Sequence, residues 1–216
     1  MNIQLKNQPT FSARNPKIRF ADDIVRKVNK EYPRISISKV ECFKNFFHFP
    51  LLLNNLWELT ADTRDFIRLS YLNSSSFSDK ISSLLLPIKL SKLGNCKESA
   101  QLAILAAKAN GIENCEIAYL ESPEGFDYDH AVVLVKDKKP YIIDAWLGFA
   151  DYVPNAIEKY QKDFRDCFDF EGAQTEKMLI KQDFGLIQNF LNFKTSSKRN
   201  LNIIKKICSN LILKKP

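Results

Sequence analysis

The sequence predicts an α+β fold in which helices come first and an antiparallel sheet follows. Up to about residue 111, apolar residues recur at helical spacing over long segments. After this point the chain changes to short runs of β-branched and aromatic residues, which are typical of strands. An Ala-rich segment joins the two parts, and its small side chains predict a central helix that lies close against the sheet.

The composition is that of a globular protein. The chain has 216 residues, of which 45% are hydrophobic and 26% charged, and this length suffices for one well-packed domain. It contains no run of about 18 apolar residues, the length that predicts a membrane-spanning helix. The N-terminus lacks the continuous apolar segment of a secretory signal. We therefore expect a cytoplasmic protein, or one exported by a route without a recognisable N-terminal signal peptide.

The cysteines and histidines argue against a metal site. Only two histidines are present, and the cysteines are odd in number and lack the short spacing of zinc ligands. We expect reduced thiols, no metal and no cofactor. The cysteines are Cys42, Cys96, Cys115, Cys167 and Cys208, and all except Cys96 are interpreted as structural.

The net charge of +7 comes from the C-terminus. Seven of the 32 basic residues lie in residues 194–216, which contain no acidic residue, so the other 25 balance the 25 acidic residues of the remaining chain. A neutral body gives no reason to expect a nucleic-acid partner. The tail predicts a basic amphipathic helix, and three roles stay open: docking on its own domain, peripheral contact with a membrane surface, or binding of a partner. The apolar face of this helix is formed by Ile204, Ile207, Cys208 and Leu211.

The N-terminal half divides into an arm and several helices. We expect residues 1–18 to be a flexible arm and residues 19–193 to be a single domain, whose helical part covers residues 19–92. The first helix is predicted at residues 19–32 and ends at Pro33. One face of this helix carries Phe20, Ile24 and Val28.

The segment between residues 40 and 93 is helical in pattern and very apolar. Pro50 and Pro87 are expected to break its helices, because proline lacks the N–H that a helix interior needs. Residues 73–78 are rich in serine and predict a loop.

The stretch "LGNCKESAQLAILAAKANG", residues 93–111, predicts a helix that starts at Cys96. Asn95 is a suitable N-cap, and Glu98 at the third helical position completes a capping box. Asn110-Gly111 marks the end of the helix. The thiol therefore lies in the first turn, where unpaired backbone N–H groups and the positive end of the helix dipole favour the thiolate.

The sheet is predicted from three short runs, with a hairpin between the second and the third. Residues 121–129 form an acidic loop, which is either simply solvated or a cleft rim that prefers basic substrates. The strands are predicted at residues 115–120, 130–136 and 139–146, followed by a helix at 153–168 and a further strand at 176–183.

Three residues supply the groups that a cysteine protease or acyltransferase needs. Such an enzyme uses a thiolate, an imidazole base and a third group that orients the imidazole. Cys96, His130 and Asp144 are candidates for these roles. A turn centred on residues 137–138 pairs His130 near residue 145, so Asp144 lies within about one position of it. A register shift of one residue would move Asp144 to the opposite face of the sheet.

These pieces, in this order, resemble the transglutaminase-like branch of the papain-like cysteine peptidases. The resemblance rests on Gly94-Asn95-Cys96 with its Ala-rich helix, then "DHAVVLV", then "YIIDAW". It implies a papain-like or transglutaminase-like core at residues 93–150. It also implies that Cys96 is the nucleophile, His130 the general base and Asp144 the residue that orients the base. The resemblance covers residues 93–147, about a quarter of the chain.

The sequence departs from this family at three points. Lys97 and Ala131 stand where many members have an aromatic residue, and the second oxyanion donor has no clear match. The backbone N–H of Cys96 supplies one donor. Candidates for the second are Asn95, Ser91 and Trp57, with none preferred. Of two further residues, Trp146 is expected to wall the cleft, and His48 to be structural.

Two functions therefore stay open. The first is a thiol hydrolase or acyltransferase that acts on amide bonds of a protein or peptide substrate, most simply as a protease or deamidase. The second is a catalytically inactive binding or scaffold protein that keeps the same fold. The departures from the family pattern are the features that favour the second.

Overall fold

A computed structural model of the chain describes residues 15–36, 50–121, 130–167, 179–181, 187, 190–191 and 197–213. Within these ranges the fold is α+β, as predicted. The helices are α1 (Pro16–Glu31), α2 (Pro50–Leu72), α3 (Phe77–Ser91), α4 (Cys96–Ala109), α5 (Val153–Cys167) and α6 (Lys198–Ile207). The strands are β1 (Cys115–Glu121), β2 (His130–Val135), β3 (Tyr141–Asp144), β4 (Phe149–Tyr152) and β5 (Leu179–Lys181).

The strands form one antiparallel sheet in the order β4-β3-β2-β1-β5. The sequence pattern predicted four of these strands and missed β4. A four-residue turn at 145–148 connects β3 to β4 and is closed by a 2.9 Å bond from the Gly148 N–H to the Asp144 carbonyl. Gly148 has a φ of 90°, a conformation that glycine adopts without steric cost. The tight turn brings β4 back beside β3.

The two faces of the sheet pack against different helices. Val133 and Ile143 belong to the larger core, which includes α1 and α4, whereas Val132 and Ile142 belong to a smaller core with α5. This alternation is what antiparallel strands with two covered faces require. The prediction of a central helix against the sheet is confirmed. Small side chains in the middle of α4 are completely buried, among them Ala103, Ala106 and Ala107.

The helix α1 begins three residues earlier than predicted, and its buried face is rotated. Ile24 and Val28 are buried as expected, but the side chain of Phe20 is 37% exposed. A strict four-residue spacing drifts around a helix of 3.6 residues per turn, so Phe20 lies at the edge of the buried stripe. The full buried apolar set of α1 is Ile18, Ala21, Ile24, Val25 and Val28.

Pro87 does not break its helix, contrary to the prediction. It lies inside α3, which continues to Ser91, while Pro50 is the first residue of α2, where proline is well tolerated. Pro87 removes one backbone hydrogen bond of α3. Burial of the side chains around it keeps the helix intact, namely those of Ile81, Leu84, Leu85 and Ile88.

The C-terminal segment docks on the domain. The helix α6 packs against α3 and α4, and a short 3₁₀ turn, Ser209–Leu211, follows it. Asn110, at the end of α4, donates to the Leu211 carbonyl at 2.9 Å and accepts from the Leu213 N–H at 2.8 Å. Of the predicted apolar face, Ile204, Cys208 and Leu211 are buried and Ile207 is partly buried.

No helix in the described ranges is both long enough and apolar enough to cross a membrane. Residues 1–14 of the predicted arm, and residues 194–196 and 214–216 of the predicted tail, lie outside the described residues.

Candidate active site

Cys96 is the first residue of α4, as predicted, and the capping box forms. The Glu98 carboxylate accepts the Asn95 N–H at 2.8 Å, and Asn95 caps the backbone of the first turn. Gly94 allows this close approach, because a Cβ on it would lie only 2.8 Å from the Cβ of Glu98. The start of the helix is therefore defined by tight local contacts.

Glu98 is buried and ionised. The guanidinium of Arg64 donates to its two oxygens at 2.8 and 3.2 Å. Burial raises the pKa of Glu98, but the hydrogen bonds and charge of Arg64, together with the Asn95 N–H, outweigh it and leave the pKa below its usual range. The N-terminal turn of α4 is thus bonded to α2.

A short segment after α1 holds the loop that leads into α4. The Ile35 N–H donates to the Lys92 carbonyl at 2.9 Å, and the Gly94 N–H donates to the Ile35 carbonyl at 3.3 Å. Ile35 and Leu93 form a parallel β-bridge. The sequence analysis predicted the helix end at Pro33 and made no prediction for the residues that follow, so the role of this segment next to Cys96 was missed.

His130 and Asp144 lie on the same face of the sheet. Val133 pairs with Ile143 and Val135 with Tyr141, and continuing this register places Asp144 opposite residue 132, two positions from His130. The register differs by one residue from the predicted one, because the hairpin is centred on Lys138. The two side chains are therefore diagonal neighbours on one face, within reach of each other.

The Asp144 carboxylate is held by four hydrogen bonds. Its Oδ2 lies 2.6 Å from His130 Nε2 and accepts the Tyr160 hydroxyl at 3.0 Å. Its Oδ1 accepts the backbone N–H groups of Trp146 and Leu147 at 2.9 and 2.8 Å. Asp144 is only 1% exposed, and this set of donors compensates for its burial.

His130 connects Asp144 with Cys96. Its ring is 2% exposed and is hydrogen bonded to the Cys96 side chain as well as to Asp144. Because Nε2 contacts Asp144, Nδ1 is the nitrogen that remains for the sulfur. Cys96 itself is partly exposed. The site therefore combines an accessible thiol with a buried imidazole and a buried carboxylate.

Electrostatics favour an imidazolium at this position. Burial lowers the pKa of His130, but the charge and hydrogen bond of Asp144, with a smaller contribution from Cys96, outweigh it and raise the pKa to about 9. Burial likewise raises the pKa of Asp144, but His130, the Leu147 N–H and the Tyr160 hydroxyl outweigh it, so the pKa of this carboxyl is lowered. The pair is a charged one at neutral pH.

Two aromatic residues and a serine complete the site. The Trp146 and Tyr160 ring centroids lie 5.0 and 5.5 Å from that of His130, so both rings pack beside the imidazole. The Trp146 indole donates to Ser36 Oγ at 2.7 Å, and Ser36 donates to Asn95 Oδ1 at 3.0 Å. This chain of bonds connects the His130 side of the site to the N-cap of the Cys96 helix.

The sequence analysis missed Ser36 and Tyr160. Tyr160 lies on the predicted helix α5, but nothing in the helical pattern separates it from an ordinary core tyrosine. Ser36 follows a helix in an irregular segment, where a serine is common. Only the sheet, with α1 and α5 on opposite faces, brings these residues to the site.

The three residues predicted as candidates for the second oxyanion donor lie in different surroundings. Asn95 Oδ1 accepts from Ser36, the Ser91 hydroxyl accepts the Leu93 N–H, and Trp57 is exposed on α2. The Lys97 ammonium lies 5.4 Å from the ring centroid of Tyr119.

Other candidate groups were predicted to be structural or to line the cleft. Cys115 and Cys208 are buried, and burial raises the pKa of these thiols to about 11 and about 12, respectively. Among the described residues, no three His, Cys, Asp or Glu side chains form a group that could hold a metal ion. Cys42, His48, the Cys167 side chain and residues 122–129 of the acidic loop lie outside the described residues.

Comparison of the chain with models of protein families, with curated proteins and with solved structures finds no match. A functional assignment therefore depends on the chemistry of the site itself.

Proposed function

We propose that this protein is a thiol enzyme that transfers the acyl group of an amide to water or to an amine. One observation carries the proposal. The buried His130 is bonded to Asp144 through one ring nitrogen and to the partly exposed Cys96 thiol through its other side. The position of Cys96 at the start of a helix packed on an antiparallel sheet supports the transglutaminase-like, papain-like core that the sequence resembles.

In the first half-reaction the Cys96 thiolate attacks the carbonyl carbon of the amide. A C–S bond forms and the carbonyl electron pair moves to oxygen, where the backbone N–H of Cys96 stabilises the charge. The electron pair then returns and the C–N bond breaks. The His130 imidazolium gives its Nδ1 proton to the leaving amine, and a thioester remains on Cys96.

In the second half-reaction the neutral His130 removes a proton from water, which attacks the thioester. The C–S bond breaks, a carboxylic acid leaves, and the thiolate and imidazolium are restored. An amine in place of water gives a new amide. Asp144 keeps the imidazole oriented and stabilises its charged form in both steps. Hydrolysis of a protein or peptide amide, by a protease or deamidase, is the leading case because water is always present.

The thiolate–imidazolium pair is tested by alkylation with substoichiometric iodoacetamide between pH 5 and pH 9, with the modified cysteine mapped by mass spectrometry. We expect selective labelling of Cys96 at low pH. His130→Ala abolishes the low-pH labelling, and Asp144→Asn, which keeps the size of the side chain, weakens it. The buried Cys115 and Cys208 serve as internal controls that become reactive only after unfolding.

Acyl transfer is tested separately with p-nitrophenyl acetate. An enzyme with an acyl-thiol intermediate releases a burst of p-nitrophenolate and carries the acetyl group on Cys96, and both signals disappear in Cys96→Ala. Labelling of Cys96 that follows an ordinary thiol titration in all variants would contradict the proposal. Together with the absence of a burst, it would favour the inactive binding protein.

A further inference from the structure

A large basic groove lies at the opposite end of α4 from Cys96. It has a volume of about 970 Å³ and is lined by residues of α1, the end of α4, α6 and the C-terminal segment that follows α6. The helix α4 has 14 residues and is therefore about 20 Å long. The groove is thus separate from the proposed catalytic thiol.

The lining of the groove carries an excess of positive charge. Among the described residues, five basic side chains and one acidic side chain line it, and the acidic residue, Asp23, already pairs with Arg26. Lys27 pairs with Glu31. Arg19, Lys30 and Lys205 are exposed and make no salt bridge with another described residue.

Part of the lining of the groove is apolar. It includes Phe20, the large apolar side chain of α1 that remains 37% exposed, together with Ala109, Ile212 and Leu213. A lining that combines cationic and apolar side chains suits a chain that carries both carboxylates and aliphatic side chains. Exposed apolar surface next to a concave site is a common feature of binding surfaces.

We propose that this groove binds an acidic segment of a partner protein, in which apolar side chains alternate with carboxylates. A membrane surface fits less well, because the apolar groups lie in a concavity instead of projecting toward a bilayer. A single-stranded nucleic acid also fits less well. Such sites stack successive bases on several aromatic rings, and among the described lining residues Phe20 is the one aromatic residue. The proposal does not depend on the chemistry of Cys96.

The test uses the full-length protein and a fluorescein-labelled peptide with the repeat Glu-Glu-Leu, with binding followed by fluorescence anisotropy. Peptides with the repeats Gln-Gln-Leu and Glu-Glu-Ser separate the contributions of charge and apolar contact. We expect both of these control peptides to bind more weakly than the Glu-Glu-Leu peptide. The affinity of the Glu-Glu-Leu peptide is expected to fall as the salt concentration rises. A peptide with the repeat Lys-Lys-Leu is expected not to bind.

The groove is identified with a triple variant, Arg19→Glu, Lys30→Glu and Lys205→Glu. We expect this variant to bind the Glu-Glu-Leu peptide about tenfold more weakly, or weaker still. Each exposed ion pair contributes a factor of about two in affinity, and reversal of each charge adds repulsion. A matched control triple changes three exposed basic residues elsewhere on the molecule, Arg68→Glu, Lys138→Glu and Lys139→Glu. It has the same net charge and should lose less than about threefold.

Three results would overturn the proposal. Equal losses in the two triple variants would show a general charge effect instead of a site. Equal binding of Glu-Glu-Leu and Glu-Glu-Ser would show that the apolar lining residues do not contribute to binding. Tighter, groove-dependent binding of phosphatidylserine vesicles or of a single-stranded oligonucleotide would assign the groove to a membrane or to a nucleic acid. Circular dichroism spectra confirm that both triple variants are folded before they are compared.

Discussion

At the scale of single residues, the buried His130 and Asp144 depend on each other. Each would be costly to bury alone as a charged group, and removal of one partner leaves the other uncompensated. The four hydrogen bonds to Asp144 make its ionised form stable, and this in turn holds a proton on His130. Such a perturbed pair next to an accessible thiol is typical of functional sites.

The raised pKa of His130 predicts a pH-dependent stability. Its folded pKa of about 9 lies above the ordinary value of 6.5, so the folded state binds more protons in this range. The stabilising contribution is therefore complete below pH 6.5 and is lost as the pH rises toward 9. Its full size is on the order of 3 kcal/mol, from about 1.4 kcal/mol per pKa unit.

The contribution of His130 to stability is measured by urea unfolding at a series of pH values. Two proteins are compared, Cys96→Ser and the double variant Cys96→Ser, His130→Gln. The serine background removes the Cys96 thiol, and with it the small contribution of Cys96 to the raised pKa of His130. We expect the difference in unfolding free energy between the two variants to shrink as the pH increases. A difference that stays constant or grows over this range would contradict the assigned pKa.

At the scale of elements, the start of α4 is where sequence and structure agree best. The cap at Asn95, the acceptor at Glu98 and the small residues that follow are local signals, and the helix starts at the predicted residue. The prediction failed in α3, where it placed a break at Pro87. The destabilisation that one proline causes can be read from the sequence, because it arises within its own helix. The burial of side chains that offsets it depends on neighbouring helices.

We expect Glu98→Gln to destabilise the protein by about 1–3 kcal/mol. Glutamine keeps the shape and can still cap the Asn95 N–H, but the charge that binds Arg64 is lost. The free energy of unfolding in urea measures the effect. Glu58→Gln on the exposed surface of α2 is the matched control, with an expected change within about 0.5 kcal/mol. Equal effects of the two substitutions would show that the Arg64 contact does not stabilise the helix start.

The hairpin between β2 and β3 shows the limit of prediction for an element. The sequence identified both strands and the turn between them but placed the turn centre about half a residue too early, which shifts the pairing by one residue. That shift decides which face of the sheet Asp144 occupies. Packing of α5 on one face and of α1 and α4 on the other favours the observed register, and a local pattern does not contain this information.

At the scale of the whole molecule, the C-terminal segment completes the main core. Leu211 is fully buried, and its carbonyl is bonded to Asn110 at the end of α4. We expect Leu211→Ala to cost about 2–5 kcal/mol of stability, because it removes buried methyl groups and leaves a cavity. Leu90→Ala, at a leucine that is 69% exposed, is the matched control.

Thermal and urea unfolding of both variants provide the measurement. A loss at Leu211 no larger than that at Leu90 would mean that the C-terminal segment is an appendage. The tail would then be free for the membrane or partner contact that the sequence left open. The expected large loss would instead place it within the folded core, with only its basic face available for binding.

The sequence by itself determined the α+β class, the position of Cys96 at the start of a helix, and the identity of the three proposed catalytic residues. The first two follow from capping signals, periodicity and strand composition, which act over a few residues. The three catalytic residues stay a prediction that rests on side-chain chemistry and on the family resemblance. The tertiary structure decided the register of Asp144, the contributions of Ser36 and Tyr160, and the basic groove between α1 and the C-terminus. Each of these joins residues that are distant in the chain, and long-range packing, which no local pattern encodes, brings them together.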